Sequence, residues 1–117
     1  MRSAKGRIIL TSSGAAVGAY ATWGAYGASK AVLNHLAMTL AVEEPDVTTV
    51  SIRPGVVDTE MQREIRELHN QAMDAKDAAK FAGLKTNGGL LKPEQPGNVI
   101  ARLVLSAPIA LSGGFYR

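Results

Sequence analysis

Hydrophobic and polar positions follow two different rhythms along this chain. Arg7 to Ser13 reads RIILTSS, a short continuous apolar run from Ile8 to Leu10 that ends in small polar residues. Such a run fits a strand covered on both faces, as in a parallel sheet. A glycine-punctuated stretch of small residues follows, GAAVGAYATWGA, and predicts a loop whose backbone passes close to a ligand or another element. From Tyr26 to about Val42 the period becomes helical. Ala25, Ala28, Ala31 and Ala37 favour helix, and Leu33, Leu36 and Leu40 make the expected buried stripe. Glu43-Glu44-Pro45-Asp46 ends it, because proline disfavours helix in the residue before it. Val47 to Arg53, VTTVSIR, is β-branched and partly alternating, hence a second strand, which Pro54-Gly55 stops. Strand, helix, strand with short connections implies parallel strands joined by a right-handed crossover.

The second half is more charged. Thr59 to Gly83 carries Met61, Ile65 and Leu68 at helical spacing, with Asp58 or Thr59 as a cap. KTNGGLLK, from Lys85 to Lys92, is a turn-rich connection. Pro93 and Glu94 open another helix, with Pro96 in the same first turn and Val99, Ile100, Leu103 and Val104 as its apolar face. It ends near Ser106-Ala107-Pro108, and Phe115-Tyr116-Arg117 begins a third strand. The expected class is α/β, with about three strands, two long helices on the sheet and a helical insertion.

Composition narrows this picture without changing it. The 117 residues suit one small domain, and 46% hydrophobic with 20% charged is the balance of a globular protein. The net charge of +3 is not gathered into a stripe; Arg2, Lys5 and Arg7 form the one early cluster. Nucleic acid is therefore not an expected partner. There is no cysteine, so a disulfide framework, a thiolate metal site and a cysteine nucleophile are excluded. His35 and His69 lack metal-ligand spacing, and His35 fits a packed or exposed helix position better than a catalytic one. The opening residues MRSAKGR show no signal peptide, and no apolar run approaches the length of a membrane span, so the cytoplasm is the default location.

The candidate chemistry lies between Ser13 and Lys30. Tyr26 and Lys30 are four apart, on one helix face and about 40° apart around the axis. A phenol is a poor acid or base at neutral pH until a nearby cation stabilises its anion. A serine hydroxyl delivered from the strand end, Ser13, could hold a carbonyl or alcohol oxygen against the tyrosine. Tyrosine and lysine four apart are also common as mere surface neighbours; the serine, the glycine-rich loop and the alanine-rich helix together favour the catalytic reading.

Ser13, twelve residues, Tyr26, three residues, Lys30 resembles the active-site signature of the short-chain dehydrogenase/reductases. GRIILTSS and YGASKA match that family's wording, and Arg53-Pro54-Gly55-Val56-Val57-Asp58-Thr59 resembles its proline-glycine motif. The run EEPDVTTVSIRPGVVDTEMQ is most similar to fungal members related to benzil and sepiapterin reductases. The resemblance implies an oxidoreductase that moves a hydride between NAD(H) or NADP(H), the latter favoured, and a carbonyl or alcohol. Tyr26 would be the general acid/base. Lys30 would stabilise the tyrosinate and bond the nicotinamide ribose, and Ser13 would position the substrate oxygen. Ser12 is the rival serine, read as structural. Pro54 and Gly55 would shape the nicotinamide turn, with Val57 holding the carboxamide through its backbone and Thr59 through its hydroxyl. Tyr20, Trp23 and Met61 are candidate pocket walls, with Ile65 beside Met61, and 59–92 would be the substrate lid.

The resemblance covers the C-terminal portion of a doubly wound, Rossmann-type sheet. No Gly-x-x-x-Gly-x-Gly opens a βα turn in this sequence, and the family's asparagine motif is absent as well. The adenine and pyrophosphate sites of such folds come from the other half, which the resemblance does not cover. The expectation is therefore a fragment with an unpaired strand edge, exposed apolar helix faces, marginal stability and weak dinucleotide binding. A second copy, pairing through the Tyr26–Val42 helix, is the expected protein partner. A non-catalytic interaction module is the alternative.

Overall fold

The computed structural model describes residues 3–68 and 73–117; Arg2 and His69 fall outside them. The chain runs β1 (Arg7–Thr11), α1 (Gly24–Glu43), β2 (Thr48–Ile52), α2 (Glu60–Glu67), α3 (Ala75–Thr86), α4 (Glu94–Ser106) and β3 (Phe115–Tyr116). Short 3-10 turns at Gly14–Ala16 and Ile109–Leu111 precede α1 and β3. The three strands form one parallel sheet in the order β1-β2-β3. Ile9 lies opposite Val50, and Ser51 opposite Phe115.

β2 is the centre of the molecule, and all five of its residues are buried. Its side chains alternate between two layers, as a pleated strand requires. Ser51 Oγ donates to Asn34 Oδ1 of α1 at 2.7 Å. Val50 and Ile52 point the other way, toward Val99 and Leu103 of α4 across an apolar cavity. Burying each of those two is worth about 1.5–3 kcal/mol. α1 and α4 thus cover opposite faces. Because β1, β2 and β3 advance in one direction, the two crossovers are of opposite hand.

Two sequence-based expectations need correction. β1 was expected to be covered on both faces, yet it is half-buried and Thr11 is exposed. It is the sheet's edge strand, with only one flank paired. The leucine stripe of α1 does not form its buried face either: Leu36 is exposed, and Leu33 and Leu40 are half-buried. Ala37 is the fully buried residue of α1. The helix lies too close to the sheet for leucine there. A β-carbon on Gly113 would stand 3.1 Å from Ala41 Cβ.

The insertion is two helices, α2 and α3, and α3 continues to Thr86, shortening the predicted connection. Thr59 is at the N-cap of α2, but its side chain makes no capping bond. α4 begins at Glu94, as expected, but Val99 and Val104 of its apolar face are each about half exposed, at 54% and 48%. Among the described residues no helix is long and apolar enough to cross a membrane, and no three metal-ligating side chains cluster.

Candidate active site

The end of β1 and the start of α1 are fastened to each other by short contacts. Gly27 makes the closest one: a β-carbon there would stand 2.7 Å from the carbonyl oxygen of Ala15. Only a glycine lets the first turn of α1 approach the loop after Ser13 so tightly. Ser12, buried, donates its hydroxyl to the Lys30 carbonyl at 3.2 Å and its amide to Ile52 O at 2.7 Å. That is the structural part expected of it. The Lys30 ammonium donates to Thr11 O at 3.1 Å and lies 5.8 Å from the centroid of the Tyr26 ring. The loop and helix therefore bring Ser13, Tyr26 and Lys30 to one end of the sheet.

Ser13 is extended and half-buried, and its Oγ accepts from the Ala15 amide at 3.2 Å, capping the 3-10 turn. Among the described residues no hydrogen bond holds the Tyr26 hydroxyl, so it can meet a ligand oxygen without giving up a partner. His35 is exposed and shares a 3.4 Å contact with Thr39 Oγ1. It lies three turns into α1 and away from the seam.

The proline-glycine turn leaves β2 beside this seam. Gly55 has φ +86°, a left-handed conformation that favours glycine, and a β-carbon there would stand 3.0 Å from Leu91 Cδ1. Val57 then bridges Leu91 in parallel. The bridge uses the Val56 carbonyl and the Asp58 amide, each at 2.9 Å. In a parallel ladder the groups of the residue between them point away, so Val57's own N–H and C=O face outward as a donor–acceptor pair. Thr59 follows and is exposed. Just beyond, Arg63 bonds Glu60 through Nε at 2.9 and 3.0 Å and Glu67 at 2.6 Å. The bond from Arg63 holds the Glu60 carboxyl below its ordinary range, and its carboxylate partners raise Arg63.

Tyr20 and Trp23 meet each other at 5.8 Å between ring centroids, and Trp23 meets Tyr26 edge-on at 5.5 Å. Met61 is half exposed on α2, while Ile65 is buried beneath it. Sequence reasoning missed Phe81 and Lys80 of α3. Phe81 stacks on Trp23, and Lys80 Nζ donates to the Tyr20 hydroxyl at 3.0 Å. It also missed Arg53, whose guanidinium would lie 3.2 Å from a β-carbon on Gly14. The sequence signal for Phe81 was an aromatic residue inside an otherwise charged insertion. The apolar cavity, about 610 Å³, is on the other face of β2, and Ser13, Tyr26 and Lys30 do not line it. Pro54 and Gly55 do, on the side facing Leu91.

Residues 1–70 match the sequence profile of the short chain dehydrogenases. The chain belongs to that family. It is 49% identical, over 96% of its length, to a benzil reductase ((S)-benzoin forming) of Saccharomyces cerevisiae, and spans 44% of that protein. Mouse sepiapterin reductase is 37% identical over 72% of the chain and 31% of its own length. The crystal structure of the KRED1-Pglu enzyme superposes with a TM-score of 0.95 at 46% identity, covering 98% of this chain and 48% of that one. The fold is thus part of a Rossmann-type α/β sheet. The chain spans about half the length of the curated relatives it matches. Relatives named as reductases and oxidoreductases support an oxidoreductase of the short-chain type.

Proposed function

We propose that this chain carries the nicotinamide and substrate end of an NAD(P)(H)-dependent carbonyl reductase, NADP(H) being the favoured cofactor. The observation that carries the reading is the seam itself: Gly27 against Ala15, and Lys30 on Thr11, put Ser13, Tyr26 and Lys30 together at the C-terminal end of β1. The names of the relatives, benzil reductase and sepiapterin reductase, support ketone reduction as the direction. When bound, the nicotinamide supplies the hydride.

The residues present fit that ring's end of the cofactor. Val57 offers an outward N–H and C=O, complementary to a carboxamide, and Thr59 adds an exposed hydroxyl. Lys30 can bond a ribose hydroxyl while staying close to Tyr26. Ser13 Oγ accepts only a weak local bond, so its proton is free to hold the substrate oxygen. Tyr26 gives its hydroxyl proton to that oxygen as the carbonyl becomes an alcohol, and the Lys30 charge stabilises the tyrosinate left behind. The proposed location is the cytoplasm. A second copy is the proposed partner, laid along α1, where Val32, Leu36 and Val42 are exposed. The non-catalytic alternative has less support, since it leaves the seam without a use.

Titrating the 117-residue chain with NADPH, followed by nicotinamide fluorescence, tests the reading. A weak but saturable rise that Lys30→Met diminishes is expected. Emission that never saturates would remove the cofactor from the proposal.

A further inference from the structure

No hydrogen bond among the described residues holds the Tyr26 hydroxyl, so the neighbours of its ring decide where the proton donor stands. Two groups reach that ring. The Lys30 ammonium lies 5.8 Å from its centroid and is tied to Thr11 O at 3.1 Å. It supplies charge, but a point charge on a flexible four-carbon stem orients a phenol poorly. Trp23, the only tryptophan in the sequence, meets the ring edge-on at 89° and 5.5 Å. An indole is a rigid plate, and edge-to-face packing is a geometry that aromatic pairs prefer.

The indole is itself held by α3. Phe81 lies parallel to it, at 4° and 5.4 Å, and is only 6% exposed, so it is the anchored end of the row. Trp23 and Tyr26 are half-buried. Tyr20 leans against both Trp23 and Phe81 at 48°, and Lys80 bonds its hydroxyl. The backbone carries a second, separate sign. Thr22 has φ +71°, a left-handed conformation that a β-branched residue rarely adopts. Such strain persists only where surrounding contacts hold it, and it stands at the residue that leads the chain into Trp23.

We propose that Trp23 is a positioning residue for the proton donor: its edge-on contact holds the Tyr26 ring where the hydroxyl meets the substrate oxygen, and Phe81 carries the docking of α3 to Tyr26 through the indole. This rests on the carbonyl-reductase reading and deepens it. Both rings act through Tyr26, so their effect is on proton delivery and is indifferent to what the carbonyl bears.

The chain has three tyrosines, Tyr20, Tyr26 and Tyr116, so NMR of the 117-residue chain with labelled tyrosine reads Tyr26 directly, its signal assigned by loss in Tyr26→Phe. The indole ring current should displace the Tyr26 ring protons from their free-tyrosine position. Phe81→Leu should move them part of the way back, although Phe81 is linked to Tyr26 only through Trp23, and Phe81→Tyr should restore them. Tyr116, outside the cluster, should stay in place. A native Tyr26 signal at the free-tyrosine position overturns the proposal even where Phe81→Leu does not fold, and so does a Phe81→Leu signal equal to the native one. In turnover, Phe81→Leu should lower kcat about 2- to 12-fold, the range one aromatic pair can hold, with KM and NADPH binding unchanged. The fall should be equal for 2,3-hexanedione and 1-phenyl-1,2-propanedione. A fall confined to the dione with a ring, or one in KM alone, makes the rings a substrate wall and overturns the positioning role. Tyr26→Phe separates this from the reaction itself. If that variant still reduces ketones, the catalytic reading falls whatever the spectrum shows. If it loses reduction while Phe81→Leu leaves the Tyr26 signal unmoved, the relay falls and the reaction stands.

Discussion

The seam between β1 and α1 and the docking of α3 are built by different means. The seam is made of small residues and backbone groups at short range: Gly27 on the Ala15 carbonyl, the Ser12 hydroxyl on the Lys30 carbonyl, the Lys30 ammonium on the Thr11 carbonyl. The insertion is fixed by long side chains from far along the chain. Phe81 lies on Trp23, Lys80 on Tyr20, and Lys85 Nζ pairs with Asp58 Oδ2 at 2.6 Å. Backbone contacts at this range tolerate little change. Side-chain contacts can be exchanged without moving the backbone of the seam.

Substitutions at the seam should therefore do more damage than equal changes in the insertion. Gly27→Ala has the largest expected effect on stability. Its β-carbon would meet backbone that cannot turn aside, so about 1–3 kcal/mol should be lost, on the scale of overpacking. Thermal unfolding should show a fall of about 4–8 °C for each kcal/mol. A melting temperature unchanged by Gly27→Ala would mean that the close approach is not needed.

Thr49→Val gives an internal reference of opposite sign. The Thr49 hydroxyl is buried and has no hydrogen-bond partner among the described residues. Its removal in a similar shape should raise stability by about 1 kcal/mol, read by urea unfolding. In the insertion, Asp58→Asn should cost at most about 1 kcal/mol, because the pair with Lys85 is roughly half exposed. Its effect on unfolding should fade as salt is raised; an effect equal to that of Gly27→Ala would erase the contrast between the two regions.

The smallest effect is a pH dependence at α2. Arg63 holds the folded Glu60 carboxyl below its ordinary range, chiefly through their hydrogen bond. A carboxyl lowered in the folded state stabilises at pH above its ordinary value, and that contribution is lost as pH falls through the lowered one. Both groups are exposed, so the change should be slight. Glu60→Gln should remove that part of the acid sensitivity, as seen by helical circular dichroism across the acid range.

The contrast also explains what could be read from the sequence. Ser13, Tyr26 and Lys30 are close in the chain, and their seam depends on local spacing and glycine. The β-branched run of β2 announced a strand, but burial of its polar face as well, Thr49 and Ser51 included, was not legible in the alternation. The face of α1 was not legible. Leucine at helical spacing looked like core, but the partner surface is near enough to admit only Ala37. Phe81 was missed although it is an aromatic residue in a charged insertion, because its stacking partner is 58 residues away and only the fold pairs them. The half exposure of β1 depends on what pairs with its other flank, which no pattern inside the strand encodes.

The most direct test of the account is ketone reduction by Tyr26→Phe, followed by NADPH absorbance, beside NADPH binding by the same variant. The seam as described should keep binding near the native level while reduction falls by about 10²- to 10⁴-fold, the range for a lost general acid. Reduction that survives with the phenol hydroxyl gone would contradict it.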